Sequence, residues 1–410
     1  MNTPEQPLFV VTGLGAAAWP SLGVLLVLAA VSSPYYVRAV ARRRPLPLTT
    51  LLLAAGGGLA LAWLAPVLFS SDVYAYAAYG EMARIGLNPY ARIHETPDYI
   101  VRAAQAQWIT AFPICVYGPA FVEFARALVT ALSPIGLRAI LDAFRAAASI
   151  GLLLCVPLAY GAFGGNRSAR LRSAAVIALN PAAIWCAAEG HNDAIALAIV
   201  LLGFALVRRR LSSAGAAVVA LSALVKAPGA AAAIAVAAAD RRARLGALAG
   251  LAVAAIFSRP LFAGIATNLA PHGTYAPQAS LQAIFAPVSP ILAWFAAAAT
   301  CALLAANGAL LIRRRSNEGY IWFGLAAWVL IPNPYPWYGI WLVALAAIEP
   351  RSRAATVAIV LSLVSLLRYV PDAVATPSPP VAAVLGVLTV LPLLALLPRR
   401  PVIMSDSHDR

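Results

Sequence analysis

Lysine is nearly absent from this chain of 410 residues, in which Lys226 is the one lysine. Cysteine and histidine occur four times each. The four cysteines are scattered and three lie in apolar runs, so they predict neither a disulfide framework nor a cysteine metal cluster. Charged residues make up 11% of the composition and hydrophobic residues 62%, which excludes a soluble domain of this length.

Long apolar runs dominate the chain instead. A membrane-spanning helix needs about 20 mostly apolar residues, and the runs between arginine clusters fit about 12–13 membrane helices, including broken or re-entrant ones. Each segment must be helical because lipid offers backbone N–H and C=O groups no partner. The sequence therefore predicts an all-α polytopic membrane protein, with residues 1–410 forming a single membrane domain.

Arginine supplies nearly all of the basic residues behind the net charge of +15. In a soluble protein this charge would indicate a nucleic-acid partner, but here the arginines cluster at the ends of apolar runs, as is typical of cytoplasmic loops. We therefore expect no nucleic-acid partner. The clusters predicted to be cytoplasmic are Arg42–Arg44, Arg167–Arg172, Arg208–Arg210, Arg241–Arg244, Arg313–Arg315, Arg351–Arg353 and Arg399–Arg400.

These clusters fix the predicted topology of the first half of the chain. Asp72 follows an apolar run and lies outside. Residues 70–116 become a large first outer loop with short amphipathic helices. Residues 117–133 are too short and too charged to span, so they are interpreted as an outer-leaflet hairpin or interfacial helix. Residues 173–188 are predicted as one short span.

Both flanks of residues 213–239 are basic, so this stretch is predicted to be a broken hairpin that faces the cytoplasm. Lys226 lies near its turn, and an ionisable side chain at membrane depth requires a partner. The polar tail, residues 400–410, is predicted to be disordered.

Carboxylates, amides, a histidine and aromatic rings gather on the predicted outer face and together suit a sugar. Glycosyl transfer needs a base for the attacking hydroxyl and groups that stabilise the departing phosphate. Asp72 is the candidate general base because it is the first acid after a rigid span, and Lys226 with arginines is available for phosphate. The candidate substrate-binding residues are Glu81, Asn88, Tyr117, Glu189, His191, Asn192, Asp193, Lys226, Trp337 and Tyr338.

Four groups of residues carry a resemblance to a known family. In chain order they are Ser71-Asp72-Val73-Tyr74 with Gly86-Leu87-Asn88-Pro89-Tyr90, then Tyr117-Gly118-Pro119, then Asn180-Pro181 with Gly190-His191-Asn192-Asp193 and Lys226-Ala227-Pro228, and finally Pro336-Trp337-Tyr338 with Trp341. The chain resembles C-type integral-membrane glycosyltransferases, in particular the actinobacterial polyprenol-phosphate-mannose-dependent alpha-mannosyltransferases that extend lipomannan. It is more distantly similar to the first mannosyltransferase of the glycosylphosphatidylinositol pathway.

The resemblance implies an enzyme of the bacterial inner membrane whose active site faces the periplasm or cell exterior. It implies that Asp72 is the catalytic acid, that transfer inverts the anomeric centre, and that residues 191–193 line the donor or acceptor pocket. Lys226 would lie near the lipid phosphate. The implied partners are a polyprenyl-phosphate sugar donor, with mannose as the sugar, a glycan or lipid-linked acceptor, and membrane lipid. Superfamily members often carry two adjacent acids at this point, whereas this chain has Ser71 and a single acid, Asp72. The departure weakens the case for metal dependence, and a divalent cation is left open as a cofactor.

Other readings of the same residues stay open. Asp72 and residues 191–193 suit helix caps, Trp337 and Tyr338 suit an interfacial aromatic belt, and Lys226 suits snorkelling toward the cytoplasm. For the whole chain, the alternatives are a secondary transporter of a polar or lipid-linked substrate and a non-catalytic scaffold. The transporter is disfavoured because the acids lie outside the predicted spans.

Overall fold

A computed structural model of the chain describes residues 18–65, 69–93, 96–108, 112–238, 240–272, 276–372 and 379–397. The described residues form helices and connecting loops and contain no strand, which confirms the predicted all-α class. The tail predicted to be disordered, residues 400–410, lies outside the described residues.

The α-helices follow one another along the whole described chain. They are α1 Ala18–Ala41, α2 Leu48–Trp63, α3 Asp72–Arg84, α4 Tyr99–Gln105, α5 Pro119–Leu132, α6 Leu137–Ala162, α7 Arg167–Ala178, α8 Pro181–Ala188, α9 Asp193–Arg208, α10 Ser212–Leu221, α11 Pro228–Ala237, α12 Arg241–Phe257, α13 Arg259–His272, α14 Leu281–Phe285, α15 Pro290–Arg313, α16 Glu318–Val329, α17 Pro336–Ala346, α18 Arg353–Val364, α19 Tyr369–Asp372 and α20 Pro379–Val390. Short 3-10 helices follow three of them, at Ser222–Leu224, Ser365–Arg368 and Leu391–Leu396.

Several of these helices are suited to a membrane. Those long and apolar enough to cross it are Trp19–Ala41, Leu137–Ala162, Pro290–Arg313 and Pro379–Leu396, and α7 with α8 form a fifth candidate that bends by 51°. Shorter apolar helices are Leu48–Trp63, Ser212–Leu224, Pro228–Ala237 and Pro336–Ala346. The polytopic architecture is confirmed, whereas the larger number of segments inferred from hydropathy stays a prediction.

The segment predicted as one short span over residues 173–188 contains a break between α7 and α8, where the helix axis bends by 51°. Pro181 has no N–H to continue α7 and occupies the first position of α8, which suits its fixed φ. The Asn180 side chain caps α8 by accepting a hydrogen bond from the Ala183 N–H at 2.9 Å. Its amide also donates to the Ser362 hydroxyl at 2.9 Å. Local capping thus outweighs the continuous apolar pattern.

Three buried hydrophobic clusters organise the packing. One joins α1, α2 and α6 to α9 with α16 to α18, the second joins α3 to α5 with the start of α6, and the third joins α9 to α12. Trp341 of α17 packs against all three clusters. Because α17 also packs on α8 and α9, the ends of several helices meet near this residue.

The loop before α5 lies against the turn between α10 and α11. The Gly118 N–H donates to the Val225 carbonyl at 3.1 Å. A Cβ atom at Gly118 would lie 2.2 Å from the Leu224 carbonyl oxygen, so only glycine permits this approach. The contact brings Tyr117 close to Lys226.

We expect Gly118→Ala to destabilise the protein, since the added methyl group meets backbone atoms that cannot rotate away. Overpacking of this kind costs about 1–3 kcal/mol, which thermal unfolding in detergent measures as a lower midpoint. The matched control is Gly57→Ala, where an added Cβ meets nothing within 4 Å. An equal effect of both substitutions would contradict the packing argument.

Candidate active site

Asp72 stands at the start of α3 with its carboxylate turned toward the loop before α5. The Tyr117 hydroxyl donates to Asp72 Oδ2 at 3.2 Å. The N-cap position of α3 is Ser71, whose side chain makes no capping hydrogen bond. The side chain of Asp72 is 21% exposed, so it is buried on most sides and open on one.

A tight turn places two further site residues side by side. Gly190 has a φ of 95°, a left-handed conformation that favours glycine. It turns the chain between Glu189 and His191, so that His191 Nε2 lies 3.6 Å from Glu189 Oε2. On its other side, His191 Nδ1 lies 3.4 Å from Asp72 Oδ2. His191 therefore sits between two carboxylates.

Glu189 is held from two distant parts of the chain. The Phe69 N–H donates to its Oε1 at 2.5 Å, and the Tyr369 hydroxyl donates to its Oε2 at 2.6 Å. Its side chain is 1% exposed. Glu189 thus ties the segment before α3 to α19 and lies behind the imidazole.

Aromatic rings extend the cluster on the side of α17. The imidazole of His191 stacks on Trp337 with centroids 4.1 Å apart, and Trp337 stacks on Tyr335 at 4.4 Å. The Arg368 guanidinium lies 4.3 Å from the Tyr335 ring centroid. These rings cover one face of the imidazole.

Lys226 has the partner that its position in the sequence requires. Its ammonium donates to Asp193 Oδ2, and the Trp341 indole N–H donates to Asp193 Oδ1 at 2.7 Å. The ammonium also lies 5.5 Å from the Tyr117 ring and 5.9 Å from the Tyr338 ring. Because it pairs with buried Asp193, it does not extend along apolar surface as a snorkelling lysine does.

The surroundings shift two pKa values in opposite directions. Burial alone would raise the pKa of Asp72, but His191, the Lys226 charge and the Tyr117 hydroxyl outweigh it and hold that pKa below its ordinary value. Burial alone would lower the pKa of His191, but the Asp72 and Glu189 carboxylates raise it to about 9. At neutral pH, Asp72 is therefore ionised and His191 is an imidazolium.

The structure brings together most of the predicted site residues. Asn192 joins them, since the Tyr76 hydroxyl donates to its Oδ1 at 3.4 Å. The grouped residues are Asp72, Tyr117, Glu189, His191, Asn192, Asp193, Lys226, Trp337 and Tyr338.

Glu81 and Asn88 lie away from this group. Glu81 is at the other end of α3, buried and paired with Arg84 at 2.5 Å. Asn88 Oδ1 accepts a hydrogen bond from the Tyr90 N–H at 3.0 Å and thereby closes a local turn. Among the described residues, neither Glu81 nor Asn88 makes a hydrogen bond or ion pair with Asp72, His191 or Glu189.

Several residues of the cluster were not among the predicted site residues, and Trp341 and Tyr369 illustrate why. Trp341 belongs to the motif Pro336-Trp337-Tyr338 with Trp341, so a signal for it was present. Tyr369 lies 180 positions from Glu189 along the chain, and no local pattern marks it. Only the fold reveals that contact.

No group of three or more His, Cys, Asp or Glu side chains in the described part of the chain is suited to hold a metal ion. The residues present therefore do not form a metal cage of their own. A divalent cation stays open as a cofactor.

The pKa of His191 predicts how stability depends on pH. Its folded value of about 9 lies above the ordinary 6.5, so its contribution is fully present below pH 6.5 and is lost as the pH rises through about 9. We expect the difference in unfolding midpoint between wild type and His191→Gln to shrink over that interval. Thermal unfolding from about pH 6 to about pH 10 measures it. A difference that is constant with pH would contradict the shifted pKa.

The sequence matches the family described as alpha-(1->6)-mannopyranosyltransferase, N-terminal domain, over residues 8–242, which is more than half of the chain. Comparison with curated proteins and with solved structures gives no match. The matched region contains Asp72, His191 and Lys226 and ends before Trp337. The predicted resemblance to lipomannan-type mannosyltransferases is confirmed, which favours a transferase over a transporter or a scaffold. The chain therefore belongs to the alpha-(1->6)-mannopyranosyltransferase family.

Proposed function

We propose that this protein transfers mannose from a polyprenyl-phosphate donor to a glycan or lipid-linked acceptor at the outer face of the bacterial inner membrane, with Asp72 as general base. One observation carries the assignment of the base. The Asp72 side chain is 21% exposed, whereas those of Glu189 and Asp193 are 1% and 0% exposed. A general base must come within hydrogen-bond distance of the proton that it accepts. Of the three carboxylates, only that of Asp72 is open to an acceptor.

The proposed reaction is a single displacement. The acceptor oxygen forms a bond to the anomeric carbon while its proton passes to the Asp72 carboxylate. The bond from the anomeric carbon to the phosphate oxygen breaks, and its electron pair leaves with polyprenyl phosphate. This displacement inverts the anomeric centre and needs no nucleophile from the enzyme. The burial and existing partners of Glu189 and Asp193 support a mechanism with one working carboxylate.

Lys226 is the proposed contact for the donor phosphate. A phosphate that departs from carbon gains negative charge, which a positioned cation stabilises. The ammonium lies near the Tyr117 ring, whose hydroxyl donates to Asp72. Tyr117 therefore lies between the proposed base, Asp72, and the proposed phosphate contact, Lys226. The reaction needs these two groups close together, because the base acts on the incoming hydroxyl while the cation stabilises the departing phosphate.

The arrangement of the helices supports an outward-facing site. α9 begins at Asp193 in the cluster and ends at Arg208, about 24 Å away for its 16 residues. α17 begins beside Trp337 and is followed by Arg351, and α7 begins at Arg167 at the far end from Glu189. Since arginine clusters mark the cytoplasmic side, the cluster faces the periplasm or cell exterior.

The remaining proposed contacts fall into two groups. Tyr117, Asn192 and Tyr338 adjoin the reacting position. Asn192 Nδ2 is buried without a hydrogen bond among the described residues, which suits a sugar hydroxyl. Asn88, which is exposed beyond the end of α3, suits a distant part of an extended acceptor, whereas Glu81 is buried and paired with Arg84.

We expect Asp72→Asn to lower transfer by about a hundredfold or more, because the amide accepts no proton. The measurement uses purified protein in detergent, a panel of polyprenyl-phosphate sugars and a membrane extract as acceptor. Glu123→Gln is the matched control. Glu123 is exposed and pairs with Arg126 on α5, near the site but outside it.

Transfer from one donor that Asp72→Asn abolishes and Glu123→Gln preserves would establish the sugar and the base together. Full activity of a folded Asp72→Asn protein would refute the base. Transfer from no donor by folded wild type would refute the donor class.

We expect Lys226→Ala to raise the apparent KM for the donor by about tenfold or more, since a charge-assisted contact contributes about 1.5–3 kcal/mol. The KM for the acceptor should change little. Removing the lysine alone leaves Asp193 buried and unbalanced, which is itself costly. The double variant Lys226→Ala with Asp193→Asn removes that charge, and Lys226→Arg retains the cation. An unchanged donor KM in the folded double variant would refute phosphate binding by Lys226.

A further inference from the structure

We infer that Glu189 is a positioning residue: its buried carboxylate holds the His191 imidazole as a cation between itself and Asp72 and does not contact substrate. This inference rests on the proposed role of Asp72. It assigns Glu189 and His191 to the support of the base, whereas the sequence predicted that both bind substrate.

The two ring nitrogens of His191 indicate its protonation state. A neutral imidazole has one donor and one acceptor nitrogen, whereas the cation has two donors. His191 Nδ1 faces Asp72 at 3.4 Å and Nε2 faces Glu189 at 3.6 Å. Both distances describe ion pairs and are long for hydrogen bonds. A neutral ring would direct one lone pair at a carboxylate, so only the cation suits both neighbours.

The Glu189 carboxylate is held by groups of the protein. It accepts two hydrogen bonds, from the Phe69 N–H and the Tyr369 hydroxyl. The side chain is almost fully buried behind the imidazole. These contacts occupy the carboxylate from within the protein and leave no open side for a sugar.

Trp337 supplies an independent reason for a cation at this position. The face of an indole ring attracts a cation through its quadrupole, and the imidazole stacks on that face with an interplanar angle of 18°. Trp337 also stacks on Tyr335 and is 7% exposed. Its ring therefore has little surface left for substrate and instead fixes the plane of His191.

Other charged groups near His191 have partners of their own. Lys226 of the α10–α11 turn pairs with Asp193 of α9. Arg145 of α6 packs against Gly190 and pairs with Asp142, which also pairs with Arg138. The Arg368 guanidinium lies over the Tyr335 ring, on the far side of Trp337. Tyr117, whose pKa burial raises well above its ordinary value, is neutral. The charge on His191 thus responds chiefly to Asp72 and Glu189.

The arrangement orients the base. The Tyr117 hydroxyl and His191 both contact Oδ2 of Asp72. These contacts fix the carboxylate and leave Oδ1 to accept the proton of the acceptor hydroxyl. The three groups Asp72, His191 and Glu189 carry one net negative charge, which the transferred proton neutralises. Without the anion of Glu189, the imidazolium would lose its proton more readily and Asp72 would lose this support.

The test uses selectively ¹⁵N-histidine-labelled protein in detergent, since the chain has only four histidines. The His191 signals are assigned by their loss in His191→Gln. We expect both ring nitrogens to be protonated at neutral pH, with a titration midpoint of about 9. Glu189→Gln should lower the midpoint by about one pH unit or more, whereas Glu189→Asp, which keeps the charge, should retain most of the shift. Glu318→Gln at the arginine end of α16 is the control.

Kinetics test the positioning role separately. We expect Glu189→Gln to lower kcat by about tenfold or more, with the KM for donor and for acceptor nearly unchanged. The alkaline limb of its pH–rate profile should move with the midpoint measured by NMR. A higher KM with unchanged kcat would instead identify Glu189 as a substrate contact and overturn the inference.

The NMR measurement needs no substrate, so its outcome is distinct from that of the transfer assay on Asp72→Asn. A wild-type midpoint at or below the ordinary 6.5 overturns the inference even if the Glu189 variants do not fold. An unchanged midpoint in a folded Glu189→Gln protein also overturns it.

Discussion

The buried ion pair between Asp193 and Lys226 is the contact on which the rest of this structure depends. Either charge alone in a hydrophobic interior would cost several kcal/mol, so the two must stay together. Asp193 begins α9 and Lys226 occupies the turn between α10 and α11, while the Trp341 indole binds the same carboxylate. The pair therefore holds three helical segments together where the three apolar clusters meet.

Interruptions of helices build the rest of the site. In a membrane, helical backbone satisfies its own hydrogen bonds, and non-helical backbone is tolerated only where protein or a cavity satisfies it. Asp72 begins α3, His191 lies between α8 and α9, Lys226 lies at a break, and Trp337 follows the first residue of α17. Each of these four side chains thus stands where a helix stops or starts. Helix breaks and polar side chains occur together because the free N–H and C=O groups at a break and the charged side chains both need polar partners, which lipid does not provide.

The sequence indicated most of the residues that the fold brings together, but not the contacts that they make with one another. Asp72 and Lys226 were found because charge is scarce in apolar sequence, and local motifs marked their neighbours. The contact of Tyr369 with Glu189 could not be predicted, since it joins distant segments that have no shared pattern. Glu81 shows the opposite case: its type and position suited the site, but a local pair with Arg84 holds it elsewhere. Hydropathy likewise missed the helix break at Asn180, where capping decides the geometry.

The scarcity of lysine makes the ion pair chemically addressable. Lys226 carries the one side-chain amine of the chain, and its side chain is 10% exposed while it is bound to Asp193. A reagent selective for amines accordingly has a single side-chain target, and that target reacts only when the ammonium separates from its carboxylate and loses a proton. The rate of that labelling reports how often the interior of the site opens to water.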